Sequence, residues 1–260
     1  MRIYLVGMPG DFHAEALILE QHPFGLCSHA HPGLIDCWPT VWEKIASSAI
    51  IDSGAFTAST LGKSYSVAEY AGFIDGFDDA WGSSLHERIF MSLDVIGDQQ
   101  ASWRNFDELQ RRGYDVLPVL TRGCSSADID RAAEHDYLAV GGCVGVGRSE
   151  LQPYLDRIFA RLMKRDCLPR VHLLGLTQDW AARRYPAFSA DSTSWLKVVF
   201  FGQSRLTGID SAVKYCRGGA ERAYALEGLR AEVRHYQKMQ ATATELWARR
   251  GIEWPEWEPE

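Results

Sequence analysis

Apolar and polar positions along the chain fall into two alternating textures. Short apolar runs recur at 3–7, 49–52, 89–95, 115–120, 137–140 and 171–176, with a weaker one at 188–191. These runs do not alternate with period two, which predicts strands buried on both faces, as in a parallel sheet. The stretches between them carry helical spacing. Ser66-Val67-Ala68-Glu69 has capping-box form, and Tyr70, Phe73, Ile74, Phe77 and Trp81 follow on one helical face. Trp103, Phe106 and Leu109 share a face within 102–112, and Gly113 suits the position just past that helix. Leu151, Tyr154, Leu155, Ile158, Phe159 and Leu162 repeat the pattern within 149–165. Strand then helix, repeated this often, predicts a (β/α)8 TIM-like barrel, with an open doubly wound sheet as the alternative that periodicity leaves standing.

Two regions depart from that rhythm. Residues 8–47 are less regular, rich in His, Pro and Gly, and read as carrying loops over the active face. Beyond Asp191, 198–201 reads as an eighth strand or a hairpin, and 219–250 as one long helix or two. The expected organisation is a catalytic barrel over 1–205. A helical extension, 206–260, then packs on the barrel and ends in an acidic tail. The length of 260 residues matches a single barrel of ~250 residues.

Composition narrows the setting. A net charge of −7 argues against a generally basic nucleic-acid coat. From 214 to 250, however, eight basic residues face four glutamates, a local excess of four positive charges. Six cysteines without a CxxC pair read as reduced thiols, hence a cytoplasmic protein with no membrane span.

The chemistry concentrates at three aspartates. Asp52 closes Ile50-Ile51-Asp52-Ser53-Gly54, Asp94 closes Met91-Ser92-Leu93-Asp94, and Asp191 closes Phe188-Ser189-Ala190-Asp191. An apolar strand ending in a carboxylate and a small-residue turn brings an acid to the rim of a sheet. In one parallel barrel, all three would meet on the C-terminal face, where such barrels keep their chemistry. For any one of them, a helix N-cap is the plain structural reading.

These segments resemble, in order, those of the tRNA-guanine transglycosylase superfamily. Asp52-Ser53-Gly54-Ala55-Phe56 resembles the family's DSGGF/Y-Q segment. Asp94 resembles its base-holding aspartate. Ala139-Val140-Gly141-Gly142-Cys143-Val144-Gly145 is similar to its GGLAVGE turn, and Leu174-Gly175-Leu176-Thr177-Gln178-Asp179-Trp180 to its MGVGTPEDL. Asp191 then falls where the family keeps its nucleophile, and the resemblance covers roughly 48–195. The CxCxxC…H zinc site expected downstream of the nucleophile is absent, since only Cys216 lies there. The glutamine that helps hold guanine O6 would fall near Thr121. The short chain and the segment Asp191-Ser192-Thr193-Ser194-Trp195 look closest to the phage and bacterial enzymes that place 7-deazaguanines into DNA, ahead of those acting on tRNA.

The resemblance implies a glycosyl exchange without a cofactor. Asp191 would attack C1′ while Asp52 handles protons on the departing and incoming bases. Asp94 would accept hydrogen bonds from the purine N1–H and amine. Ser53, Gly141, Gly142, Cys143 and Thr121 would line the base pocket, with Phe56 stacking on the base and the Gly142 amide donating to O6. The implied partners are a polynucleotide, DNA before tRNA, and a free 7-deazaguanine, with a homodimer or helper protein to supply missing basic surface. A phage-encoded enzyme would act in the host cytoplasm. Basic residues of the C-terminal segment would contact phosphates.

Blander readings stand beside these. Phe56 would ordinarily be core, Cys143 a buried filler and the Gly141-Gly142 pair a tight turn. His172, inside a strand, reads as a satisfied core histidine rather than a catalytic one. Cys27, His29, His31 and Cys37 offer zinc-compatible donors, yet their spacing fits no common zinc pattern, so a polar loop is the primary reading. The functional rivals are a carboxylate-dependent nucleoside or glycoside hydrolase and a non-catalytic nucleic-acid-binding relative.

Overall fold

The apolar runs become parallel strands that bend into a nearly closed barrel ringed by helices. The computed structural model describes residues 1–7, 11–30, 38–45, 47–197, 219–255 and 258. Its strands are β1 (Arg2–Val6), β2 (Phe24–Ser28), β3 (Ser48–Asp52), β4 (Glu87–Met91), β5 (Val116–Leu117), β6 (Val119–Leu120), β7 (Tyr137–Val140), β8 (Arg170–Leu173) and β9 (Ser189–Ser192). Their order is β5-β4-β3-β2-β1-β9-β8-β7-β6, so the two ends of the sheet are neighbours in sequence. Pro118 is the only residue between them. It has no N–H for a ladder, but its carbonyl accepts from Ala139 N at 2.9 Å. The run 116–120 thus pairs with β4 through Val116 and Leu117, then with β7 through Val119 and Leu120, and carries the ring from one edge to the other.

Strand register sorts side chains into two cores. Tyr4, Phe24, Leu26, Ile50, Met91, Val119 and Ala139 form the filling of the barrel. Their immediate neighbours Ile3, Ile51, Phe90, Leu120 and Leu138, together with Ala190, face outward into the layer shared with the helices. Because both faces are apolar, the strands read as continuous runs rather than alternations. The N-terminal end of the barrel is plugged by polar groups. Tyr4 donates to Ser48 Oγ at 2.8 Å, Ser48 donates to Glu87 at 2.7 Å, and Arg2 pairs with Glu87 at 2.6 Å.

The helices follow local signals. In the helix Val67–Trp81 the capping box forms both of its bonds, Glu69 N to Ser66 Oγ at 3.2 Å and Ser66 N to Glu69 at 2.7 Å. The helix Gln99–Arg111 is capped by Asp98 and stops two residues before Gly113, whose φ of +93° suits a terminating glycine. All six apolar residues expected on one face are buried in the helix Arg148–Leu162.

The segment 8–47 is more regular than its composition suggests. It contains α1 (Asp11–Leu19), β2 and α2 (Trp38–Trp42), and β2 is the stave that bridges β1 and β3. Gly25 and Ser28 dilute its apolar signal and Pro23 precedes it, so composition hid a strand buried along its whole length. The proposed eighth strand at 198–201 lies outside the described residues. The C-terminal segment forms one long helix (Gly219–Ala248), which packs against α1 and β1 and against the short helix Asp179–Arg184. Met1 N donates to Thr244 Oγ1 at 2.6 Å and Ile3 N to Gln240 Oε1 at 3.1 Å, fixing this helix beside the first strand. Among the described residues, no helix is long and apolar enough to cross a membrane.

Candidate active site

Strand parity decides which carboxylates reach the mouth of the barrel. Ile50 faces inward, so Asp52, two residues on, faces the same way at the C-terminal end of β3. Asp191 lies directly across from Tyr4, another inward residue, in the β1–β9 register. Asp94 lies three residues past the end of β4. That loop is held by Tyr70, whose hydroxyl donates to Met91 O at 2.7 Å, and by Asn105, which donates to Leu93 O at 2.9 Å.

Asp191 is 7% exposed. Its Oδ1 accepts from Gly175 N at 2.7 Å and contacts His172 Nε2 at 3.2 Å. Gly175 has φ +66°, and a Cβ there would sit 2.4 Å from Val144 Cγ2, so this turn requires glycine. The second oxygen, Oδ2, makes no hydrogen bond with any described residue.

Asp52 and Asp94 form a second carboxylate unit. Asp52 Oδ2 accepts from Ser28 Oγ at 3.1 Å and Gly54 N at 3.0 Å. Ser53, fully buried, donates to Asp94 Oδ1 at 3.2 Å. Burial pushes the Asp94 carboxyl up to about 7, helped by the negative charge of Asp52. Asp52 is raised as well, first by burial and further by the charge of Asp191, against hydrogen bonds from Gly54 and Ser28 that lower it. The Tyr70 phenol is held well above its ordinary range by burial and by the charges of Asp52 and Asp94. The three acids are therefore coupled electrostatically through Asp52, and two of them hold protons more tightly than ordinary carboxyls.

The remaining predicted residues divide. Cys143 is buried, its thiol pushed up to about 12 by burial and the Asp191 charge, which keeps it a neutral thiol beside the nucleophile candidate. Gly141 continues β7, its N–H bonded to Leu120 O at 2.8 Å. Gly142 has φ +73°, but the space over its Cα is not open: a Cβ there would sit 2.4 Å from Arg122 Cγ. A base approaching Gly142 must therefore displace the Arg122 side chain, which is held by an exposed pair to Glu150 at 3.3 Å. Thr121 does not present its donors to the mouth. Its N–H and hydroxyl both reach Gln99 Oε1, at 2.7 and 3.2 Å, while Gln99 Nε2 donates to Val119 O at 3.1 Å. Phe56 is 50% exposed in the first turn of the short helix Ala55–Thr60, which removes the core reading for that ring.

The low-priority metal set is not assembled where it is described. Cys27 is buried on the outward side of β2, and His29 packs against Tyr65, Tyr70 and Phe73. His31 and Cys37 lie outside the described residues. Among the described residues, no group of three or more His, Cys, Asp and Glu is arranged to hold a metal. The arginines of the C-terminal helix are engaged within the fold. Arg222 pairs with Glu15, Arg230 and Arg234 with Glu20 and Glu227, and Arg249, just past the helix, with Glu245.

His172 is fully buried with both ring nitrogens bonded, as its place inside a strand suggested, and one partner is Asp191; sequence reasoning gave no site role to Ser28, Tyr70 or Gln99. The inward direction of His172 follows from parity, since it stands in register with the inward Ala139 of β7. No family model matches the chain, and none of the curated proteins matches it. Among solved structures, the chain is similar to a cube-shaped, highly porous protein cage designed by fusing symmetric oligomeric domains. The identity is 11% and the TM-score 0.45, over 96% of this chain and 77% of that one, a likeness that adds nothing to the assignment of chemistry.

Proposed function

We propose that the chain is a base-exchange glycosyltransferase that replaces guanine with a 7-deazaguanine in a polynucleotide, with DNA ahead of tRNA. One observation carries this reading: three carboxylates meet at the mouth of a parallel barrel in three different environments. Among the described residues Asp191 Oδ2 has no hydrogen-bond partner, Asp94 is pushed up to about 7, and Asp52 is raised by burial.

The exchange follows from those differences. Asp191 Oδ2 attacks C1′, the C1′–N9 bond breaks, and the electron pair leaves with the purine. Asp52, which burial disposes to hold a proton, donates it to the departing base. The incoming base then attacks C1′ through N9, expels the Asp191 carboxylate and returns its N9 proton to Asp52. Two displacements at one carbon retain configuration, as in retaining glycoside hydrolases. Asp94 accepts from the N1–H and amine of the purine in its ionised form, which these two donors favour against the burial that raises it in the empty site. The base must be turned out of its helix to reach the mouth, at a cost of a few kcal/mol. Phe56, exposed on the rim, supplies a stacking surface. Arg122 supplies a cation, because an exposed ion pair is worth under ~1 kcal/mol and is readily exchanged for a phosphate. The preference for DNA rests on the resemblance of the segment Asp191–Trp195.

The test is release of labelled guanine from duplex DNA, single-stranded DNA and tRNA, with and without 7-cyano- or 7-aminomethyl-7-deazaguanine. Release from DNA that depends on the added base is expected. Release independent of any added base would instead make the protein a hydrolase, and release from tRNA alone would reverse the preferred polymer.

A further inference from the structure

We propose that His172 is a positioning residue for Asp191, locked in a single tautomer by a hydrogen-bonded chain that runs along the inside of the barrel. The proposal rests on the reading of Asp191 as the nucleophile. The chain begins at the first residue of β7. Tyr137 OH lies 2.5 Å from Ser189 Oγ, Ser189 Oγ lies 2.6 Å from His172 Nδ1, and His172 Nε2 lies 3.2 Å from Asp191 Oδ1. All four residues are buried, Ser189 and His172 completely.

The direction of the protons follows from the partners. Ser189 Oγ is the one acceptor that the Tyr137 hydroxyl has among the described residues, so Tyr137 donates to it. Burial holds that phenol well above its ordinary range, which keeps the donor in place. Ser189 then has one proton to give and gives it to His172 Nδ1. An Nδ1 that accepts leaves Nε2 as the protonated nitrogen, and its N–H points at Asp191. Each proton in the chain is used once, and each step runs towards the C-terminal mouth.

The contrast with His22 separates this arrangement from that of an ordinary buried histidine. His22 is also buried, and its Nε2 contacts a backbone carbonyl, Ile3 O, at 3.0 Å. His172 places both nitrogens on side chains, and one of those is the nucleophile candidate. Its N–H and that of Gly175 converge on the same oxygen, Oδ1, which fixes the rotation of the carboxylate and reserves Oδ2 for attack. After attack, Oδ1 is the carbonyl oxygen of the glycosyl ester. The same two donors then stabilise the charge that returns to the carboxylate when it is expelled. Neither residue touches the sugar or the base.

The test has one readout that does not depend on exchange. In protein labelled with ¹⁵N-histidine, the resonance lost in His172→Gln should show a protonated Nε2 and an unprotonated Nδ1 at neutral pH. An imidazolium, or the Nδ1-protonated tautomer, would overturn the proposal. The second readout is the rate of covalent adduct formation with a guanine-containing oligonucleotide. His172→Phe should slow it on the order of 100-fold, leaving KM for the oligonucleotide within threefold. His172→Gln, whose amide N–H can replace Nε2–H, should recover about tenfold. Ser189→Ala frees the tautomer while keeping the ring, and should slow the reaction by a smaller factor. Wild-type rates in both His172→Phe and Ser189→Ala would overturn the proposal. Absence of adduct in the wild-type protein would instead overturn the reading of the reaction, and the tautomer would still be decided by the resonance.

Discussion

Ser53 donates to Asp94 at 3.2 Å, so the residue that follows one rim carboxylate holds the next. The link crosses from the end of β3 to the loop beyond β4, and it joins the acid assigned to proton transfer to the acid assigned to base selection. Because the charge on Asp52 raises Asp94, ionising one disfavours ionising the other.

The raised carboxyl gives a stability prediction with a definite sign. Asp94 titrates at about 7 in the folded protein against 3.8 when unfolded, so the folded state holds its proton more tightly. Its contribution therefore costs stability as pH rises from about 4 to about 7, and the full cost is present above that window. Asp94→Asn should stabilise the protein by ~2 kcal/mol at pH 8 and change it little at pH 4. Urea unfolding at both pH values checks this, and an equal effect at both would contradict the assigned titration.

Gln99 is expected to matter for stability rather than chemistry. Its amide satisfies Val119 O and Thr121 N at the point where the barrel closes. Gln99→Ala leaves both groups unpaired and should destabilise by about 2–4 kcal/mol, read as a lower urea midpoint with an unchanged slope.

Gly54 is required by geometry. With φ +74° and a prospective Cβ only 2.5 Å from Ala30 N, Gly54→Ala should cost more than ~2 kcal/mol or abolish soluble expression. Wild-type thermal stability in that variant would mean that the turn after Asp52 is built differently.

Phe56 separates stacking from packing. The ring is half exposed, so Phe56→Ala should change folding stability by no more than ~0.5 kcal/mol. If the ring stacks on a base, affinity for the oligonucleotide should fall about tenfold or more, since stacking on an aromatic ring is worth ~1–3 kcal/mol per base. Fluorescence-anisotropy titration of both proteins decides it.

The barrel was legible because its strands are buried on both faces and its helices carry clear caps, as at Ser66 and Gly113. β2 was not, because Gly25 and Ser28 break the apolar run while remaining fully usable in a buried parallel ladder. Asp52, Asp94 and Asp191 were legible as acids at the ends of apolar runs. What surrounds them was not, because contacts such as Asp191 with Gly175, or Gln99 with Thr121, join residues 16 and 22 positions apart. Only the folded register reveals them. The same holds for Arg122 over Gly142, which changes what a base must displace to reach the glycine turn.

The central claim is that Asp191 attacks the sugar. Intact-mass analysis of the protein, quenched after mixing with a guanine-containing DNA oligonucleotide, tests it most directly. A covalent protein–oligonucleotide species that has lost guanine should form with the wild-type chain, map to Asp191 and be absent from Asp191→Asn. Adduct at another residue, or guanine exchange by Asp191→Asn at the wild-type rate, would contradict the account.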